Sequence, residues 1–411
     1  MTRVAIDARI PQGITGGIAQ VVIGLAQGFA EAKPEGLERT WLVYPDYQEW
    51  LGPHLPSDDE KVVCQGRADR AAVALSKRFP RLASTARPYA ERVLDSLPSS
   101  RRKEGPFDGL FASRGIEVVH VPFQDGLATR VPTVYHPHDL QHRYLPEYFS
   151  HAQIAHRERV WRSKALRAYA VSVGTESVAN DVCRFWGVPC DRVHVIPLAP
   201  VNSGVEVTRD TRTVSDRSTI LYPAAFWPHK NHVVLVKAVE LLQQQGVRVD
   251  LVLPGAAVGV YGDVRREVVE CGLDVARTLP GYVTAEALSQ LFADATVLAV
   301  PSRFESASFP IWEAFRRGIP VVAARTTSLP RQVGNGGVIV GPDDPKEWAD
   351  ALRTLLDDES LRSTLGSAGK AHVADFTWER TALASAALYR RAAGSPPVEE
   401  EEEELNAPAR L

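Results

Sequence analysis

The most informative segment of the sequence is Pro301-Ser-Arg-Phe-Glu-Ser-Ala-Ser-Phe-Pro-Ile-Trp-Glu-Ala-Phe-Arg-Arg-Gly-Ile-Pro320. It follows the apolar run Thr296–Val300, which predicts a buried strand. Ser308 is a residue type that begins helices, and Pro310 falls in the first turn, where its missing N–H costs nothing. The sequence therefore predicts a strand, a loop and a short helix. The free N–H groups of that helix would face the carboxyl edge of a sheet, where a diphosphate is stabilised.

Two carboxylates stand in this stretch, Glu305 in the loop and Glu313 in the helix, eight residues apart. A carboxylate can accept two hydrogen bonds from vicinal hydroxyls, such as those of a ribose or a hexose. Taken singly, each glutamate is as well explained by an ordinary surface acid. Their positions at a strand end and a helix start favour a binding role.

On both sides of this stretch, apolar strand patterns alternate with helical periodicity. The predicted strands are Val4–Ile6, Trp41–Tyr44, Glu117–Val121, Thr133–His136, Tyr169–Val173, Val193–Ile196, Ile220–Tyr222, Val249–Leu253, Thr296–Val300 and Val321–Ala323. This alternation predicts an α/β protein with parallel sheets that are covered by helices on both faces. Such sheets bind ligands at the carboxyl ends of their strands.

Composition places boundaries along the 411 residues, a length that suits two domains. We predict an N-terminal Rossmann-like domain over 1–200, a linker over 201–217 that is rich in polar residues, and a second Rossmann-like domain over 218–375. A C-terminal helix over 376–393 can cross back to the N-terminal domain. The run Glu399–Glu404 predicts a disordered acidic tail over 394–411, because like charges repel.

The charge balance excludes some classes of protein. The formal net charge is −3, which gives no overall electrostatic case for nucleic acid binding. No signal peptide and no apolar run of about 20 residues is evident, so we expect a cytoplasmic protein. Residues 67–103 hold ten basic residues against three acids. They predict a solvated helical face or, as the alternative, a basic patch that contacts the inner face of a membrane or an anionic acceptor.

The segment from Glu305 to Glu313 resembles the glutamate motif of retaining GT-B glycosyltransferases, specifically glycosyltransferase family 4 ("group 1"). Other segments match landmarks of that family in the same order along the chain. They are Gly16-Gly17-Ile18, Pro137-His-Asp-Leu140, Ala170-Val-Ser172, His194-Val-Ile-Pro197, Tyr222-Pro-Ala-Ala-Phe-Trp-Pro-His-Lys-Asn231, Leu279-Pro-Gly-Tyr-Val-Thr284, Gly318-Ile-Pro-Val-Val322, Ser328-Leu-Pro330 and Phe376-Thr-Trp-Glu379. The resemblance implies two Rossmann-like doubly wound domains that face each other across a cleft.

The resemblance also implies roles for single residues. Lys230 would neutralise the diphosphate of a nucleotide-sugar donor, Glu305 would contact the donor sugar and Glu313 would bind the ribose hydroxyls. His138 would lie near the transferred sugar. Further contacts to the donor or acceptor would come from the backbone of Ala307, Ser308 and Phe309, from Tyr282 and Val283 beside the base, and from Gly16 and Gly17.

Two departures from the family pattern concern the donor. The family commonly has an arginine where this chain has Ala225, so His229 and Arg303 are candidates for a second cationic partner of Lys230. The family's Gly-Phe-Gly is replaced by Ser306-Ala307-Ser308, which keeps side chains small and so allows close approach.

The resulting expectation is a metal-independent transfer of a hexose from a UDP- or GDP-linked donor to a sugar, a lipid-linked or a polysaccharide acceptor, with no cofactor. The sequence contains no Asp-x-Asp to hold a metal, and His136, His138 and His142 have no second cluster of ligands. Two alternatives remain, a GT-B nucleotide-sugar epimerase and a degenerate, non-catalytic sugar-nucleotide-binding subunit. A dinucleotide oxidoreductase is disfavoured because an early Gly-x-Gly-x-x-Gly is missing.

Overall fold

A computed structural model describes residues 1–10, 17–44, 51–64, 107–200 and 217–407. Three features of the sequence lie outside these ranges: Gly16, the basic region 67–103 and the linker 201–216. The described part of the chain forms two compact units. The first contains Met1–Leu140, Ser150–Pro197 and Trp378–Arg410, and the second contains Gln141–Phe149 and Leu198–Thr377.

The first unit is built on a parallel sheet of seven described strands in the order β3-β2-β1-β4-β5-β6-β7. Its strands are β1 Thr2–Asp7, β2 Leu37–Val43, β3 Glu60–Val63, β4 Val118–Val121, β5 Thr133–Tyr135, β6 Ala170–Val173 and β7 Val193–Val195. All residues of β4 and β6 are buried because helices cover both faces of the sheet.

The second unit is built on a parallel sheet with the strand order β12-β11-β10-β8-β9. Its strands are β8 Ser218–Leu221, β9 Val249–Val252, β10 Val297–Val300, β11 Val321–Ala324 and β12 Gly337–Val340. Both sheets are doubly wound, so the predicted α/β class with two Rossmann-like domains is confirmed. Strand β10 pairs with β8 and β11, and the loops that follow these three strands therefore leave the sheet side by side.

Helices connect the strands in both units. Those of the first unit are Gly17–Ala32, Asp108–Arg114, His151–His156, Arg157–Trp161 (π-helical), Arg162–Arg167, Glu176–Asp181, Val182–Trp186 (π-helical), Trp378–Ala392 and Glu399–Asn406. Those of the second unit are His232–Gln244, Tyr261–Glu270, Val275–Thr278, Ala285–Asp294, Phe309–Arg316, Leu329–Val333, Pro345–Asp357 and Glu359–Val373. None of the helices in the described ranges is long and apolar enough to cross a membrane.

The helix Trp378–Ala392 packs against the helix Gly17–Ala32 within the first unit. Two glycines allow this contact, because a Cβ atom added at Gly24 or Gly28 would overlap with atoms of Trp378. Farther along the same helix, the Tyr389 hydroxyl lies 2.6 Å from Nδ1 of His120, which is buried in β4. The last helical segments of the chain therefore contribute to the core of the first unit.

The expectation of a disordered acidic tail is wrong for residues 399–406, which form a helix. Three of its glutamates pair with arginines of the helix Trp378–Ala392: Glu401 with Arg390, Glu402 with Arg391 and Glu404 with Arg380. The pair formed by Glu401 is buried, and its bonds to Arg390 are 2.7 and 2.9 Å long. The positive charges of these arginines offset the repulsion among the glutamates. The composition of the acidic run does not show these ion pairs, so the helix was not predicted.

Candidate functional site

The candidate site lies at the carboxyl edge of the sheet in the second unit. Three loops start there, residues 222–231 after β8, 301–308 after β10 and 325–328 after β11. The loops are joined to one another by hydrogen bonds. The main-chain N–H of Arg303 donates to the carbonyl oxygen of His229 over 2.8 Å, and the hydroxyl of Thr326 donates to the carbonyl oxygen of Ser302 over 2.7 Å.

An ion pair between Lys230 and Glu305 forms the centre of the site. Lys230 ends the 3₁₀ turn Pro228–Lys230, and Asn231 follows it with a left-handed φ of 55°. The lysine Nζ lies 2.5 Å from Oε1 of Glu305. The carboxylate side chain is 8% exposed and the lysine side chain is 21% exposed, so the lysine is the more exposed member of the pair.

A buried chain of hydroxyls holds the same oxygen of Glu305. The Ser302 hydroxyl donates to Oε1 over 2.7 Å, and the Tyr222 hydroxyl lies 2.7 Å from the Ser302 oxygen. Burial, and then the charge of Glu305, raise the pKa of Tyr222 well above its ordinary value. The phenol therefore stays protonated and can donate to Ser302, while Ser302 donates to the carboxylate.

The main chain of Glu305 is fixed by the loop after β11. The Thr327 hydroxyl accepts from the N–H of Glu305 over 3.0 Å and donates to its carbonyl oxygen over 2.6 Å. The Ser328 hydroxyl donates to the same carbonyl over 2.9 Å. Thr327 has a φ of 39°, a left-handed conformation that is unusual for a β-branched residue. The position of Glu305 is thus determined by its backbone as well as by its side chain.

The helix Phe309–Arg316 begins four residues after Glu305. Ser308 occupies its N-cap position and a proline lies in the first turn, although the Ser308 side chain makes no capping hydrogen bond. The Ser308 N–H donates instead to Oε1 of the buried Gln332 over 2.9 Å, and the Gln332 amide donates back to Ser308 over 2.8 Å. Of the three backbone groups predicted to approach a phosphate, only those of Ala307 and Phe309 therefore remain as candidate donors.

Glu313 lies one turn inside that helix. Its Oε2 lies 2.5 Å from a guanidinium nitrogen of Arg317, and both side chains are about a quarter exposed, at 24% and 22%. The structure therefore places Glu313 on the helix that starts at the site, where its side chain binds Arg317 and not Lys230.

The candidates for a second cation, His229 and Arg303, stand beside the Lys230 turn. The Arg303 guanidinium pairs with Asp343 over 2.7 Å and donates to the Tyr148 hydroxyl over 3.2 Å. It remains 35% exposed. Arg303 is therefore close to the site through its backbone, but its charge is partly balanced by Asp343.

Tyr282 and Val283 follow Gly281, whose carbonyl accepts a hydrogen bond from the N–H of Gly255 over 2.9 Å. The Tyr282 side chain is the most exposed of the large apolar side chains in the second unit, at 79%. An exposed ring on a fixed loop is suited to stacking on a base.

The remaining predicted residues, His138 and Gly17, belong to the first unit. His138 has a φ of 63°, and its Nε2 lies 2.9 Å from the carbonyl oxygen of Pro122. Burial lowers the pKa of His138, against the opposing effects of Asp139 and the Pro122 carbonyl. Gly17 is the first residue of the helix Gly17–Ala32. Within the described parts of the chain, no group of three or more His, Cys, Asp or Glu side chains could hold a metal ion.

The sequence pattern does not predict several contacts of the site. Ser302 and Tyr222 are 80 residues apart, and Gln332 is 24 residues from Ser308. His232 is buried behind Lys230 and stacks on Phe226 with ring centres 4.3 Å apart. Burial, and then the charge of Lys230, lower the pKa of His232 to about 3, so it is neutral.

The chain is similar to glycosyltransferases. Residues 206–372 match the family described as "Glycosyl transferases group 1". The O-antigen chain mannosyltransferase B of Escherichia coli is 28% identical over 265 residues, which cover 62% of this chain and 68% of that protein. A D-inositol 3-phosphate glycosyltransferase of Corynebacterium efficiens is 31% identical over 250 residues, which cover 55% and 57%. The chain thus spans little more than half the length of the second relative.

Solved structures resemble the whole chain. Sucrose-phosphate synthase from Thermosynechococcus elongatus matches with a TM-score of 0.69 and 20% identity, over 95% of this chain and 99% of that one. HepE of Anabaena, in a complex with UDP and glucose, matches with a TM-score of 0.66 and 19% identity, over 93% and 97%. At these identities the likeness shows a shared fold, two Rossmann-like domains of the GT-B kind.

Proposed function

We propose that this protein, whose residues 206–372 match the glycosyl transferases group 1 family, is a retaining, metal-independent glycosyltransferase with a GT-B fold. It moves a hexose from a UDP- or GDP-linked donor to a carbohydrate, lipid-linked or polysaccharide acceptor. The observation that carries the proposal is the contact between Lys230 and Glu305, 2.5 Å long, at the edge of the sheet in the second unit.

The pair suits a donor because each partner can serve a different part of it. The Lys230 side chain is 21% exposed, and its ammonium can pair with a diphosphate. Glu305 keeps one oxygen bound to Ser302 and can accept sugar hydroxyls with the other. Glu313 accepts the ribose hydroxyls, while Tyr282 and Val283 flank the base.

The chemical step breaks the bond between the anomeric carbon and the diphosphate oxygen. A new bond forms between that carbon and the acceptor oxygen on the same face of the sugar. The acceptor proton passes to the departing diphosphate, so no side chain has to act as a base. Lys230 and the helix start stabilise the negative charge that develops on the leaving group, which is the main electrostatic contribution to the rate. His138, as a neutral imidazole, supplies a hydrogen bond near the transferred sugar.

This chain has Ala225 where the family commonly has an arginine. Neutralisation of the diphosphate therefore depends more on Lys230, because the charge of Arg303 is partly neutralised by Asp343. The names of the relatives support a carbohydrate or polyol acceptor, since one acts on an O-antigen chain and another on D-inositol 3-phosphate. The UDP and glucose bound by HepE support a nucleotide-sugar donor.

The test is a turnover assay with UDP- and GDP-hexoses against a panel of acceptors, in the presence of EDTA, followed by NMR of the product. We expect transfer that survives EDTA and a product that keeps the donor's anomeric configuration. Inverted product would contradict retention, loss of activity with EDTA would contradict metal independence, and conversion of the donor without acceptor would favour an epimerase.

A matched pair of variants assigns the role of the lysine. Lys230→Ala should lower kcat/KM by about 10² to 10³-fold, as the loss of one preorganised charge-stabilising group does. Lys237→Ala removes an exposed lysine that pairs with Glu267 over 3.4 Å in the same unit, and it should leave the rate unchanged. Equal rates for the two variants would remove Lys230 from the mechanism.

A further inference from the structure

Arg317 connects two helices of the second unit. It lies four residues after Glu313, and its guanidinium contacts the Glu313 carboxylate at 2.5 Å. The other terminal nitrogen donates to the hydroxyl of Ser289 over 3.3 Å, and the guanidinium lies 5.2 Å from the ring centre of Phe292. Ser289 and Phe292 are both buried. Arg317 thus has a fixed anchor on one side and a carboxylate on the other.

The helix that anchors Arg317 follows the loop that is proposed to contact the base of the nucleoside. Ser289 and Phe292 belong to the helix Ala285–Asp294, which starts at the N-cap Thr284. That N-cap residue directly follows Tyr282 and Val283, the pair placed beside the base in the proposed function. One guanidinium therefore holds the carboxylate expected to bind the ribose and also binds the helix that continues from the base loop.

We propose that Arg317 is a positioning residue for the nucleoside half of the donor, an inference that rests on the proposed function of Glu313. Arg317 engages Oε2 of Glu313, and no hydrogen bond to Oε1 occurs within the described ranges. The ribose hydroxyls of a nucleoside diphosphate are bound by the Glu313 carboxylate, which Arg317 orients before the nucleotide binds.

The planar fork of arginine is needed for this role. A guanidinium presents several donors in fixed directions, so it can bind Glu313 and Ser289 at the same time. A lysine at position 317 could pair with Glu313, as a Glu–Lys pair four residues apart does in helices, but its single ammonium would not hold both groups in this geometry.

The experiment measures binding of UDP and GDP, and of their 2′,3′-dideoxy forms, by isothermal titration calorimetry. Arg317→Ala should weaken the hydroxylated nucleotide by about fivefold, because Glu313 must then be immobilised on binding. The dideoxy form should bind the wild type and the variant equally. Arg317→Lys should recover part of the loss for the hydroxylated form.

Arg353→Ala is the matched control, because Arg353 forms the same spacing of ion pair with Asp357 over 3.2 Å on another helix of the unit. It should bind all nucleotides as the wild type does. Equal weakening of the hydroxylated and dideoxy forms by Arg317→Ala would overturn the inference and leave the donor site in place. Failure of the wild type to bind any of the four nucleotides would overturn the proposed function itself.

Discussion

The carboxyl edges of the two sheets each carry a buried carboxylate beside a cation, but the two pairs differ in how fully the carboxylate is bonded. In the first unit, both oxygens of Asp7 are occupied, by Arg9 over 2.8 and 2.9 Å and by the N–H of Leu127 over 3.1 Å. In the second unit, Lys230 and Ser302 both bind the same oxygen of Glu305. The other oxygen of Glu305 accepts no hydrogen bond within the described part of the chain.

This difference separates a structural pair from a binding pair. A carboxylate whose hydrogen-bonding capacity is used up stabilises the fold and has nothing left to offer a ligand. A carboxylate that is held firmly on one oxygen can present the other to a hydroxyl. We therefore expect changes at Asp7 to affect stability and changes at Glu305 to affect activity.

The largest effect is expected at Asp7. The substitution Asp7→Ala removes the buried carboxylate that binds the Arg9 guanidinium, which is 11% exposed, and the N–H of Leu127. Breaking a buried ion pair in this way should lower the free energy of unfolding by about 3–5 kcal/mol, measured by urea denaturation. The control is Glu38→Ala, which breaks an exposed pair with Arg3 and should cost less than about 1 kcal/mol. Similar losses in the two variants would contradict the structural role of Asp7.

Glu305→Gln, unlike Asp7→Ala, should lower the activity and not the stability. The amide keeps the shape of the carboxylate but loses the charge that orients Lys230, so we expect about a 100-fold fall in kcat/KM. Glu267→Gln, at the acid of the exposed pair with Lys237, should keep full activity. If Glu305→Gln lost stability as Asp7→Ala does and kept its rate, the distinction between the two edges would fail.

The acidic helix offers a third pair with which to sharpen the comparison. Glu401 is fully buried and binds Arg390 through both oxygens, as Asp7 binds Arg9. Glu401→Gln should destabilise the helix Glu399–Asn406 by about 2 kcal/mol, measured by hydrogen exchange of its amides. Glu403→Gln, at an exposed glutamate of the same run, should leave the exchange rates unchanged. Equal protection in both variants would indicate that the helix does not depend on this pair.

The smallest effect concerns pH. Burial is the main cause that lowers the pKa of His120 to about 3, and it also lowers the pKa of His136 and of His138. Folding keeps these imidazoles neutral, whereas the unfolded chain protonates them below about pH 6.5. Their contribution to stability is therefore complete above that pH and is lost as the pH falls, by about 1.4 kcal/mol per pH unit for His120.

Hydrogen exchange of β4 and β5 between pH 7 and 5, corrected for the intrinsic exchange rate, measures this loss. The amides of the first unit should lose protection as the pH falls. Protection that is independent of pH in these strands would show that the histidines are protonated in the folded protein.

Much of the fold could be predicted because its signals are local. The strand before Pro301, the N-cap position of Ser308 and the helix that follows all lie between Val297 and Arg316, and the structure has all three. The alternation of strands and helices likewise predicted both sheets, except for the outer strands β3 and β12. The roles of the site residues stay predictions, although the contact between Lys230 and Glu305 joins two residues that the sequence selected separately.

The rest depends on contacts between distant residues. The bonding of Ser308 to Gln332 and of Ser302 to Tyr222 follows from the order of the strands, which the sequence pattern does not contain. The acidic run looked disordered because its charge was considered without the arginines of the helix Trp378–Ala392. Burial is a property of the folded chain, so the lowered pKa of His138 could not be predicted from the sequence around it.

A thermal-shift titration with UDP- and GDP-hexoses measures whether Lys230 and Glu305 hold the diphosphate and the sugar of a donor. A donor that binds only the folded protein raises the melting temperature with concentration. We predict a saturable rise for the wild type and for Lys237→Ala with at least one donor, and a strongly weakened response for Lys230→Ala and Glu305→Gln. A response that all four proteins share equally, or that none of them shows, would contradict these roles of Lys230 and Glu305.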